Sequence, residues 1–182
     1  MEIVAYRGVN KSVYRDKKGV ERHVKNNESA SPIFFSEDQR YASQYGDMLI
    51  KAKIKLNKVF DTKSDPVAVD IFNNYFRGSE FDVTGADKIE LGQPVSFVCA
   101  DYLWSYLSMN YFYREHTPNA YDGEAYDGIV VNEGMGHGKG ETWEGVMGLD
   151  EKANTSIVPI DRSNITIINI KKLSELSLDV GI

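Results

Sequence analysis

The chain has 182 residues, 21 Lys and Arg against 27 Asp and Glu, a formal charge of -6 and 42% hydrophobic content. This fits one domain spanning 1–182 that buries enough apolar surface to fold without disulfides or a structural metal. The single Cys99 excludes an internal bridge, and beside three histidines (His23, His116, His137) it leaves too few ligands for a structural zinc, so no metal is expected.

No apolar run approaches the roughly 20 residues needed to cross a bilayer, and the first residues lack the basic-then-apolar order of a signal peptide. A cytoplasmic protein without a membrane partner is therefore expected. Residues 1 to 100 carry 15 basic and 14 acidic side chains, whereas residues 101 to 182 carry 6 and 13. An acidic second half disfavours duplex nucleic acid, which is bound through clustered Lys and Arg.

In chain order, Glu2 to Tyr6 and Pro32 to Ser36 are apolar runs of strand type. The segment between them has weak periodicity and reads as a mostly exposed loop with one short helix. Ser36, with Gln39 three residues on, has the form of a capping box for a helix that buries Tyr41, Ala42 and Tyr45 and closes at Gly46. Met48 to Leu56 alternates, with Lys51, Lys53 and Lys55 on one side, and predicts a strand with one wet face. Val59 to Asp61 is a short partner or continuation.

Asp65-Pro66 opens a helix expected to run to Arg77, with Val67, Ile71, Phe72, Tyr75 and Phe76 on its apolar face. Pro94 to about Tyr113 predicts the longest helix, apolar around much of its circumference, with Tyr102, Tyr106 and Met109 assigned to the core. Asp127 to Asn132, Thr155 to Val158 and Ile165 to Ile170 read as strands, and Lys171 to Leu176 as a last helical turn. The glycine-rich GMGHGKG at 134 to 140 matches neither nucleotide fingerprint and reads as a mobile loop.

No metal motif and no locally supported Ser, His and Asp set appears. The informative feature is the order of a spaced set: YRG at 6 to 8, FFSED at 34 to 38, YASQYG at 41 to 46, DGIVV at 127 to 131, GETWEG at 140 to 145, and SIVPIDRSNITII at 156 to 168. That order resembles the mono-ADP-ribosyltransferase fold, in its arginine, serine, glutamate class and in the small transferase-like domains of phage and mobile-element proteins. The likeness covers about two thirds of the chain and leaves out Lys11 to Ser31 and much of 65 to 120.

The resemblance implies an α+β fold with a split, mostly antiparallel sheet, flanking helices and a central cleft for NAD. It further implies transfer of ADP-ribose from NAD to a macromolecular acceptor, a protein being the leading expectation, in the host cytoplasm if the chain is phage-encoded. Breaking the bond between nicotinamide and ribose builds positive charge on the sugar, and a carboxylate beside it favours the transition state. By resemblance, Arg7 braces the site or binds the NAD phosphates and the Gly8 backbone approaches the nicotinamide amide. Ser36 binds ribose or orients the glutamate, while Phe35, Tyr41 or Tyr45 supplies a stacking face.

The carboxylate departs from the family pattern, because Ser156, or Asn154 two residues earlier, stands where Glu or Gln is often found. Glu141 and Glu144 are the nearest substitutes. Glu144 is favoured because Trp143 and Val146 suggest entry into an ordered strand, whereas Glu141 adjoins the glycines. Two other readings remain open: an inactive transferase-like module that binds a nucleotide or a partner protein, and an NAD glycohydrolase in which water replaces the acceptor.

Overall fold

Strand-forming residues begin at once: β1 spans Glu2–Val9, longer than its first apolar run suggests, and carries YRG near its end. The computed structural model describes residues 1–10, 16–28, 31–76, 89–93, 95, 97–113, 125–133 and 154–176. After β1 come α1 (Lys17–Lys25), β2 (Phe35–Ser36), α2 (Gln39–Ser43), β3 (Met48–Lys55), β4 (Val59–Asp61) and α3 (Pro66–Ile71). α4 (Phe97–Tyr113), β5 (Gly128–Glu133), β6 (Asn154–Pro159), β7 (Ile165–Lys172) and α5 (Leu173–Leu176) complete the described elements. GMGHGKG, Glu141 and Glu144 lie outside the described residues.

The fold is α+β, built on one seven-stranded sheet in the order β4-β5-β6-β2-β1-β3-β7. The pairing of β4 with β5 is parallel and the other strand pairs are antiparallel. β4 thus extends the far edge of the sheet and does not partner β3. The two-residue β2 joins β6 to β1, so the two halves expected of the sheet are continuous through it.

Side-chain alternation sorts the strands into two apolar layers. Phe60, Ile129, Val131 and Val158 meet Ala68, Val69 and Phe72 of the α3 region and Ala100, Leu103, Trp104 and Leu107 of α4. On the opposite face, Ala5, Val9, Phe35, Ile50, Ala52, Ile54 and Ile157 meet Val20 and Val24 of α1. These two valines, four residues apart and 0% exposed, turn a segment expected to be mostly loop into a docked helix. Asp16 caps it by accepting from the Gly19 amide at 2.6 Å.

Asp65 and Pro66 start α3 as expected, Asp65 accepting from the Val67 amide at 2.9 Å. Val67 is nevertheless exposed while Ala68 and Val69 are buried, and the chain continues through a π-helical turn at Phe72–Phe76. In α4 the buried stripe is Ala100, Leu103, Trp104 and Leu107, whereas Tyr102 and Met109 are exposed and Tyr106 is half-buried. The core assignment of Tyr102, Tyr106 and Met109 is thereby corrected. A helix apolar all round carries little polarity contrast to orient it, so side-chain chemistry decides: Leu packs without a polar tip, while Tyr must satisfy a hydroxyl. Trp104 meets that need inside by donating to the Pro159 carbonyl at 3.3 Å.

A buried arginine ties α1 to the turn between β6 and β7. Arg162 donates through Nη1 to the His23 carbonyl at 3.1 Å and through Nη2 to the Ser31 carbonyl, and its amide donates to Asn27 Oδ1 at 2.7 Å. Asp161 caps the 3-10 turn at Arg162–Asn164 and also accepts from the Tyr111 hydroxyl at 3.0 Å. Burial alone raises the Asp161 carboxyl, but donors from Ser163, Asn27 and Tyr111 outweigh it and hold the group below its ordinary range.

Candidate functional site

Cross-strand partners share a face of the sheet, and one row can be followed across six strands: Val131, Ser156, Ser36, Tyr6, Lys51 and Asn169. Ser36 and Ser156 therefore stand side by side, with Asn154 two residues earlier on the same face. Arg7 follows Tyr6 and belongs to the other face, with Ala5 and Val9 over α1. Its Nη1 donates to the Phe34 carbonyl at 3.0 Å, and its charge helps to lower the basicity of His23. The sheet thus separates the Arg7 side chain from Ser36, although the two residues lie on adjacent strands.

Ser36 does not cap α2. Asp38 does, accepting from the Arg40 and Tyr41 amides at 2.7 and 3.3 Å. Relieved of that role, the buried Ser36 hydroxyl accepts from the Asp38 amide at 2.9 Å and donates to Asn154 Oδ1 at 2.8 Å. Asn154 is the register partner of Glu133, the last residue of β5. In the sequence, Glu141 and Glu144 fall between these two residues, outside the described residues.

The remaining expected residues divide by burial. Phe35 is 1% exposed within the α1-side core, which leaves it no open ring face for stacking. Tyr41 on α2 is half-buried and Tyr45 just beyond it is exposed: the rings lie 5.3 Å apart at 62° and their hydroxyls are hydrogen-bonded at 2.7 Å. Gly8 serves the same helix. A Cβ there would stand 2.1 Å from the Ala42 carbonyl oxygen and 3.1 Å from Tyr45 Cβ, so its lack of a side chain admits α2 to the sheet. Gly46, expected as the helix stop, likewise lies against the Val9 backbone, with a hypothetical Cβ 2.3 Å from it; α2 ends earlier, with Gln44 as its C-cap.

Residues that the sequence reading did not single out also gather at this end of the sheet. Lys63 donates to Thr155 Oγ1 at 2.7 Å and lies 3.8 Å from Glu37 Oε2, next in chain to Ser36. No local spacing signals either this group or the Ser36–Asn154 bond, whose partners are 118 residues apart. Chemically, the Ser36 and Asn154 pair can orient a polar ligand but carries no charge to stabilise a cation, so a charge-stabilising role requires a carboxylate brought to it.

Comparisons with protein-family models, curated proteins and solved structures give no significant match.

Proposed function

We infer that the chain is an ADP-ribosyltransferase-like enzyme that binds NAD beside Ser36 and transfers ADP-ribose to a macromolecular acceptor. One observation carries this reading: the buried Ser36 hydroxyl donates to Asn154, the register partner of Glu133, and Glu141 and Glu144 fall in the sequence between those two residues. In the reaction the C–N bond between ribose and nicotinamide breaks, its electron pair leaves with nicotinamide, and the acceptor nucleophile closes on the sugar carbon and gives up its proton to solvent. Glu144 is assigned to stabilise the cationic sugar, and Ser36 to orient that carboxylate or the ribose by redirecting the hydrogen it gives Asn154. Tyr41 and Tyr45 offer the stacking face.

A second reading draws on the same bond. Because Ser36 already donates to a neutral amide, the chain also fits a non-catalytic module that binds the nucleotide without cleaving it. Incubation with NAD labelled in its adenosine part and a cell extract separates the readings. Acceptor-bound label supports the transferase, free ADP-ribose alone points to a glycohydrolase, and NAD binding without nicotinamide release points to the inactive module.

A further inference from the structure

The far half of the Ser36 face, over β1, β3 and β7, is lined by lysines. Alternation along β3 presents Lys51, Lys53 and Lys55 to solvent, and Lys171, the register partner of Leu49, adds a fourth from β7. Successive lysines on β3 repeat at about 6.8 Å, two residues of strand rise. That is within the Debye length of about 8 to 10 Å at ordinary ionic strength, so they repel one another. Glu2, bound to Lys53 at 2.7 Å, is the acidic side chain that β1 supplies against them. Lys51 lies 5.9 Å from the centroid of the Tyr6 ring.

The same surface carries an exposed aliphatic group, Val4 on β1, the register partner of Lys53. A merely solvated sheet face gains most from mixed charges across strands. Glu2 offsets one of the four lysines, so the face keeps an excess of positive charge beside Val4 on a chain whose net charge is -6, and it is complementary to an acidic, partly apolar surface. Tyr6 is half-buried, and base stacking needs a series of open aromatic faces, so the chemistry favours polypeptide over single-stranded nucleic acid.

We propose that Lys51, Lys53, Lys55 and Lys171, with Val4, form the docking surface for an acidic polypeptide. Tyr6 is the register partner of both Ser36 and Lys51, so a polypeptide lying there runs directly beside the Ser36 site. Its role as the ADP-ribose acceptor rests on the function proposed above; its binding does not.

The test is fluorescence anisotropy, without NAD, using a labelled peptide of alternating Glu and Val. The full chain is expected to bind it, with affinity falling as ionic strength rises from about 0.01 M to about 0.15 M. Lys51→Gln with Lys55→Gln, two exposed substitutions that leave the melting temperature unchanged, should weaken binding about tenfold, the combined loss of two surface charge contacts. The charge-matched pair Lys17→Gln with Lys18→Gln on α1 should change it less than about twofold. Equal losses in the two double variants, tighter binding of a labelled oligothymidylate, or no peptide binding at all would each overturn the proposal. Self-association of the chain that disappears with Lys51→Gln and Lys55→Gln would also overturn it, by making a second copy the occupant. Peptide binding without any turnover of NAD would leave the docking surface standing and remove the transferase reading instead.

Discussion

Gly8→Ala separates two roles for the glycine of YRG, since an approach to nicotinamide and an approach to α2 respond differently to an added methyl group. The new Cβ would meet the Ala42 carbonyl oxygen at 2.1 Å, and this is backbone, which cannot swing aside like a side-chain tip. The same oxygen accepts from the Tyr45 amide at 3.2 Å, and the start of α2 is held by the Asp38 cap. To restore an ordinary contact the helix must retreat by roughly 1 Å, a shift that close-packed interiors resist. Overpacking of this kind costs about 1 to 3 kcal/mol. The stiffer unfolded chain of alanine offsets about 0.4 to 1 kcal/mol of that. A net loss of about 1 to 2 kcal/mol lowers the melting temperature of a chain this size by roughly 2 to 8 °C. Thermal melts followed by circular dichroism, paired with NAD titrations, give the readout. A variant that melts at the wild-type temperature yet loses NAD binding would refute the packing role and return Gly8 to the ligand surface.

Other substitutions probe the rest of the fold and the site. Leu107→Ala should cost about 2 to 5 kcal/mol, and Tyr106→Ala clearly less, when urea midpoints are compared. Ser36→Ala is expected to weaken NAD binding, whereas Arg7→Ala should lower the melting temperature and leave NAD affinity unchanged; the reverse pattern would bring Arg7 into the site. Burial and the charges of Arg7 and Arg162 lower the His23 pKa from 6.5, so below that pH the unfolded chain takes up a proton that the folded chain resists. Stability from this source is fully present above 6.5 and declines as pH falls toward the folded value. Urea midpoints measured between about pH 7.5 and about pH 5.5 should therefore fall in the wild type and flatten in His23→Gln.

What could be read from the sequence was what local chemistry determines. The Asp65-Pro66 start needs only a cap and a fixed φ, and the alternation of Met48 to Leu56 by itself separates a lysine face from an apolar one. The orientation of α4 was not legible, because tyrosine and leucine share its circumference and the choice between them is made by the sheet beneath. Ser36 and Asp38 both precede the helix and both are good caps, so local sequence does not choose between them; Asn154, which claims the Ser36 hydroxyl, is distant in sequence. The division of Arg7 from Ser36 depends on strand register, which a motif such as YRG does not encode.

The proposed transferase needs a carboxylate from the sequence between β5 and β6 to act beside Ser36. Nicotinamide release from NAD by wild type and by Glu144→Gln, each checked for melting temperature and NAD affinity, tests it most directly. In Glu144→Gln, fold and affinity should persist while release falls by roughly two orders of magnitude or more, as when one preorganised electrostatic group is removed. Release by Glu144→Gln at the wild-type rate, or a wild type that binds NAD and releases no nicotinamide, would contradict it.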